Sequence, residues 1–103
     1  MILIQGWVRF AKAGEIDRLR AAATTMIEAT LKESGCLEYA FAADVLDPSK
    51  MHVIERWQDD AALASHFQSP HMAAFNAALA AAESEAVSVK TYLGEFQRTL
   101  MGE

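Results

Sequence analysis

Between residues 15 and 34 apolar side chains recur at steps of three and four, and on both sides of that stretch the step falls to two. A period near 3.6 lays one stripe along a helix, and a period of two lays one face along a strand. The stripe is Ile16, Leu19, Ala23, Met26, Ile27, Thr30 and Leu31, backed by Asp17, Thr24, Glu28 and Lys32. Glu28 and Lys32 stand at the favourable four-residue spacing, and Gly35 is placed for a left-handed helix cap. A helix of this length between strands is the main constraint on the fold. The strands it separates must still meet in one sheet.

Residues 2–11, rich in Ile, Trp, Val and Phe, read as the first strand, and Lys12-Ala13-Gly14 as its turn. Residues 36–44 form a second, with Leu37, Tyr39 and Phe41 on one face. Asp47-Pro48-Ser49 breaks it, because proline has no amide for a ladder. The third strand, residues 51–57, is expected to pair with the second as a hairpin and to share Met51, Val53, Glu55 and Trp57 on one face. Asp59 is placed to cap a short helix to about residue 68. Ser69-Pro70 is a fresh cap followed by proline at the first helical position. That next helix, to about residue 83, aligns Met72, Phe75, Leu79 and Ala82, and residues 86–97 close the chain as a fourth strand. The order βαββααβ predicts an α+β ferredoxin-like sandwich: a four-stranded antiparallel sheet with the helices on one face.

At 103 residues a single domain is expected. The hydrophobic share of 52% excludes disorder, and a net charge of −5 without clustered Lys or Arg argues against a nucleic-acid surface. Cys36 is the one cysteine, so no internal disulfide forms, and it reads as a small buried hydrophobe. The N-terminus has no basic segment or cleavage site, and no apolar run approaches membrane-span length. A cytoplasmic protein is expected. If alternation holds, the uncovered sheet face carries Ile2, Ile4, Val8, Phe10, Ala40, Ala42, Ile54 and Tyr92. So large an apolar face predicts a homodimer packed sheet to sheet.

The densest run of functional groups begins at Glu55-Arg56-Trp57 and continues through Leu63, His66, Ser69, Pro70, His71 and Phe75. Together with Gly35-Cys36-Leu37-Glu38-Tyr39 and Asp47-Pro48, this pattern resembles the antibiotic biosynthesis monooxygenase family of dimeric α+β barrels. The resemblance runs over nearly the whole chain. It implies a sheet-to-sheet dimer with a pocket between sheet and helices in each subunit. It also implies cofactor-free oxygenases acting on quinol- or polyphenol-type aromatics, haem-degrading enzymes or isomerases. The haem branch uses an Asn, a Trp and an iron-ligating His where this chain has Trp7, His66 and Asn76, so a haem role is not expected.

Under that resemblance the expected catalytic residues are His66 or His71 as base, with Asn76 and the Trp57 indole N–H as donors to a developing oxyanion. Trp7, Tyr39, Phe41, Met72 and Phe75 are the expected substrate walls. Each has a blander reading: a helix-terminal histidine satisfied by carbonyls, a core aromatic, an exposed edge Asn. His52 alternates away from Trp57, Glu55 reads as a structural carboxylate, and Arg9 and Arg56 as surface groups. No metal or cofactor is expected. His66 and His71 are five apart across a helix break, not the four-residue pair of a zinc helix, and no signature supports Glu55 as a third ligand. Phosphate loops, dinucleotide fingerprints and nucleophile elbows are absent.

The leading expectation is an oxygenase that takes a small aromatic substrate and dioxygen, with no nucleic-acid or membrane partner. An isomerase or a non-catalytic small-molecule-binding module on the same scaffold are the alternatives. All three require an enclosed apolar hollow beneath the helices.

Overall fold

A computed structural model describes residues 1–103. The order is β1 (Ile2–Phe10), α1 (Gly14–Thr30), β2 (Cys36–Ala43), β3 (Lys50–Trp57), α2 (Asp60–Phe67), α3 (Pro70–Ala81) and β4 (Ser84–Leu93). The strands form one antiparallel sheet in the order β2-β3-β1-β4. This is the α+β ferredoxin-like arrangement the periodicities require. No helix is long and apolar enough to cross a membrane.

The caps fall where the sequence placed them. The Asp59 carboxylate accepts from the Ala62 amide at 2.9 Å, and the Ser69 hydroxyl accepts from Met72 at 3.2 Å with Pro70 opening α3. Two ends differ from expectation. α1 stops at Thr30, and a turn carries Glu33 before Gly35 bends the chain at φ +87° into β2. β4 ends at Leu93 because its partner does: Leu93 lies opposite Ile2, the first residue of β1.

The phase of β1 is opposite to the expected one. Ile2, Ile4, Val8 and Phe10 are buried under the helices, not on the open face. The cause is register: Ile2 lies opposite Trp57, Ile4 opposite Glu55 and Val8 opposite Met51, all inward residues of β3. The open face instead presents Leu3, Gln5, Trp7 and Arg9 beside His52, Ile54, Arg56, Lys90 and Tyr92. It is more polar than predicted. Leu37 also departs from the face it was expected to share with Tyr39, because the β2–β3 register slips between Cys36 and Glu38 and leaves it half exposed.

The core joins Ile2, Ile4, Val8, Phe10, Leu19, Met26, Tyr39, Met51, Val53, Trp57, Leu63 and Phe75. Trp57 is fully enclosed, and burial of such a side chain contributes about 1.5–3 kcal/mol. Its indole N–H donates to Glu55 Oε1 at 2.8 Å, so two buried polar groups satisfy each other. α1 packs on α3 and β2, and α2 on β3 and α3. The same face of β4 is uncovered, leaving Val87, Val89 and Leu93 largely exposed. Where β1 meets β4, a Cβ on Gly6 would lie 2.5 Å from the Val89 Cα and closer still to the Ser88 carbonyl oxygen.

Two outcomes follow from this packing. Gly6→Ala must push β4 away from β1 and is expected to lower stability by about 1–3 kcal/mol in urea denaturation; an unchanged midpoint would mean the two strands can separate freely. Glu55 is the second case, because burial raises its carboxyl above the ordinary range despite the Trp57 hydrogen bond. At low pH it is neutral in both folded and unfolded chains and carries no penalty. As pH climbs past about 4.3 the unfolded carboxyl ionises first, so stability declines until the folded one ionises too. Glu55→Gln keeps an acceptor for Trp57 and should flatten that decline in urea midpoints measured from pH 4 to 8.

Candidate functional site

The turn after α1 fixes Glu33, whose amide donates to the Thr30 carbonyl and whose own carbonyl accepts from Cys36. This places the carboxylate beside the junction of α2 and α3. His66 lies in the last turn of α2 and His71 in the first turn of α3. The Ser69 hydroxyl donates to the His66 carbonyl at 2.7 Å while accepting from Met72, so one side chain pins both helix ends. Held this way, both imidazoles reach the same oxygen: His66 Nδ1 is 2.7 Å and His71 Nε2 2.8 Å from Glu33 Oε2. The helix break that argued against a shared partner is what turns the two rings toward each other. Glu33, not Glu55, is the third member.

A carboxylate can only accept, so each ring presents an N–H to it. In neutral His66 the proton is therefore on Nδ1 and the lone pair on Nε2. That Nε2 is buried without a hydrogen-bond partner. Leaving such an atom unpaired costs about 1–3 kcal/mol. The ring is enclosed by Trp57, with ring centres 4.7 Å apart, and by Tyr39 at 5.4 Å. His66 is 1% exposed, against 18% for the His71 side chain and 16% for that of Glu33. The cluster thus runs from a dry interior to the surface.

The other expected site residues divide into three groups. Trp57, Tyr39, Phe41, Met72 and Phe75 lie on the helix side, with Phe75, Phe41 and Tyr39 in successive contact at 5.3 Å between ring centres. The Trp57 N–H is already given to Glu55 and is not free for an oxyanion. Asn76 is exposed on α3, away from this interior. Trp7 is on the opposite sheet face, where the Lys50 ammonium lies 4.8 Å over its ring and His52 lies across the strand, bonded to Asp44 at 3.2 Å. The sheet therefore separates Trp7 from the other walls.

The hollow space is distributed differently from expectation. An apolar cleft of about 150 Å³ opens between α1 and the β2–β3 pair, lined by Ile16, Leu19, Ala23, Ile27, Phe41 and Met51. A basin of about 420 Å³ lies on the open sheet face around Gln5, Trp7, Ile54, Lys90 and Tyr92. Neither is lined by His66. Tyr39 links the two regions, its ring centre 5.3 Å from that of Phe41, which lines the α1 cleft, and 5.4 Å from that of His66. Burial raises the Tyr39 hydroxyl and the Cys36 thiol, and the Glu55 and Glu33 carboxylates add to both. Both groups therefore stay protonated, which removes Cys36 as a nucleophile.

Glu33 is the member of this cluster that sequence reasoning missed. It fell inside the expected helix but was named neither in its apolar stripe nor on its polar face. The only local signal was its position two residues before a glycine that redirects the chain.

Comparison with known proteins adds the family. Residues 1–78 match the family model described as antibiotic biosynthesis monooxygenase. An uncharacterized protein of Synechocystis is 31% identical over 74 residues, which is 72% of this chain and 50% of that protein. The chain thus spans about half the length of that curated relative. A candidate antibiotic biosynthesis monooxygenase from Deinococcus radiodurans superposes with a TM-score of 0.86 at 24% identity, covering 99% of this chain and 100% of its own. One from Nitrosomonas europaea gives 0.84 at 16% identity, with 93% and 100% covered. A further antibiotic biosynthesis monooxygenase structure gives 0.81 at 26% identity, with 92% and 99% covered. The fold agrees along the whole superposed length, and the family match takes in β1 through most of α3: the chain belongs to the antibiotic biosynthesis monooxygenase family.

Proposed function

We propose that this chain is a cofactor-independent monooxygenase acting on a small electron-rich aromatic of quinol or polyphenol type. The observation that carries the reading is the buried, unpartnered His66 Nε2, with Glu33 holding the proton on the opposite nitrogen. A carboxylate on one ring nitrogen fixes the tautomer and leaves the lone pair on the other. In this reading Nε2 removes a phenolic proton, and Glu33 stabilises the imidazolium that results. The phenolate then reduces dioxygen itself. For a hydroquinone the sum is quinol plus dioxygen giving hydroxyquinone plus water, so the substrate supplies every electron.

The walls in this reading are Tyr39, Phe41, Met72 and Phe75. Substrate reaches Nε2 from the α1 cleft by displacing the Tyr39 ring. Asn76, being exposed, and Trp57, already bonded to Glu55, fall away as oxyanion donors. The assembly we propose is a homodimer through the open sheet face, whose Leu3, Trp7, Ile54 and Tyr92 give it an apolar patch among polar neighbours.

Oxygen uptake with a panel of hydroquinones tests the reaction. The expected result is consumption above the buffer rate that falls by about 10²–10⁴ in kcat/KM for His66→Ala, with a smaller loss for Glu33→Gln. No uptake across the panel would sink the oxygenase reading, and turnover that persists without oxygen would replace it with an isomerase. Sedimentation at micromolar concentration should give a dimer; a stable monomer refutes the sheet-to-sheet assembly.

A further inference from the structure

Beyond the oxygenase reading, we propose that Glu33, His66 and His71 form a binding site for one divalent transition-metal cation, Zn²⁺ in the first place. Two imidazoles and a carboxylate are a donor set zinc accepts, with the fourth position left to water. The three ligating atoms come from three different segments and already lie within 4.8 Å of one another. Both ring nitrogens point at a single oxygen from 2.7 and 2.8 Å.

Ring separation is the more demanding check. Two imidazoles bound to one tetrahedral zinc at about 2.0–2.1 Å hold their ring centres about 5.3 Å apart. The His66 and His71 ring centres are 5.9 Å apart, so the His71 ring must draw in and turn its nitrogen from the shared oxygen toward the ion. His71 is free to do so, being partly exposed on the first turn of α3. His66 is rigid, fixed by burial and by the Ser69 bridge to its carbonyl. One firm ligand and two partly exposed ones give an ion both a seat and an entry.

Occupancy exchanges no net proton with neutral rings. The metal takes the lone pair at His66 Nδ1, and the proton that was there relocates through solvent to Nε2. His71 does the converse, with metal at Nε2 and proton at Nδ1. The ion therefore turns His66 Nε2 from an acceptor into a donor. Under the proposed reaction this switches the base off, so the site is inhibitory and zinc and substrate deprotonation exclude each other.

The test reads binding without turnover, so it stands or falls separately from the oxygenase assay. The full chain, first stripped with chelator, is titrated with Co²⁺ while its visible absorption is followed, and with Zn²⁺ by calorimetry. The expected result is one ion per chain in the micromolar range or tighter, with at least tenfold weaker binding for Glu33→Gln and for His71→Ala. His52→Ala, which removes the other histidine–carboxylate pair, should bind as the parent does. Nitrogen-15 spectra should show the His66 proton moving from Nδ1 to Nε2 on adding Zn²⁺. No stoichiometric binding, or equal affinity in the parent, Glu33→Gln and His71→Ala, overturns the proposal. Glu33→Gln preserves shape and His71 lies outside the buried core, so circular dichroism should show both variants folded.

Discussion

The pairing of β1 with β3 runs through eight successive residue pairs at the centre of the sheet, and most other placements derive from it. It sets Ile2 beside Trp57 and Ile4 beside Glu55, which decides which side of β1 the helices cover. A shift of one residue would turn every β1 side chain to the other face. Ile2, Ile4, Val8 and Phe10 would then meet solvent, and Trp57 would lose its neighbours. The buried Trp57–Glu55 hydrogen bond reinforces this register, since neither group has another partner in the core.

The element order was legible because each segment announces its period and its ends. Asp59 and Ser69-Pro70 cap helices as expected, and Met51, Val53, Glu55 and Trp57 share the inward face as alternation predicts. The phase of β1 was not legible from β1 alone. Its opening Ile-Leu-Ile is apolar at both parities, so only its partner strand can choose. Having Trp57 inward and knowing the register would have been enough. The end of β4 likewise depends on where β1 begins, a relation between residues about ninety apart that no local pattern carries.

The candidate site was half legible. Both histidines were singled out, and the structure joins them, but through a carboxylate 33 residues before His66 and 38 before His71. Sequence spacing cannot show such a contact, because the α1–β2 turn and the α2–α3 break must both be in place before it exists. Aromatic residues were the weaker guide. Trp7 and Trp57 look equivalent in a strand pattern, yet the sheet stands between them. Carboxamide chemistry at Asn76 is sound in principle but is spent on an exposed face of α3.

That division of the two indoles has a practical side. Trp57 is wholly enclosed and tilted against His66, whereas Trp7 is only partly buried beneath a lysine ammonium on the far side. The chain consequently carries two intrinsic fluorophores of contrasting colour and accessibility, one watching the helical interior and one the bare sheet. A soluble quencher would reach the second in a lone chain and lose it once two sheet faces pair, while the first is spared in either state. Events on either side of a four-stranded wall could then be followed in one cuvette without attaching a dye.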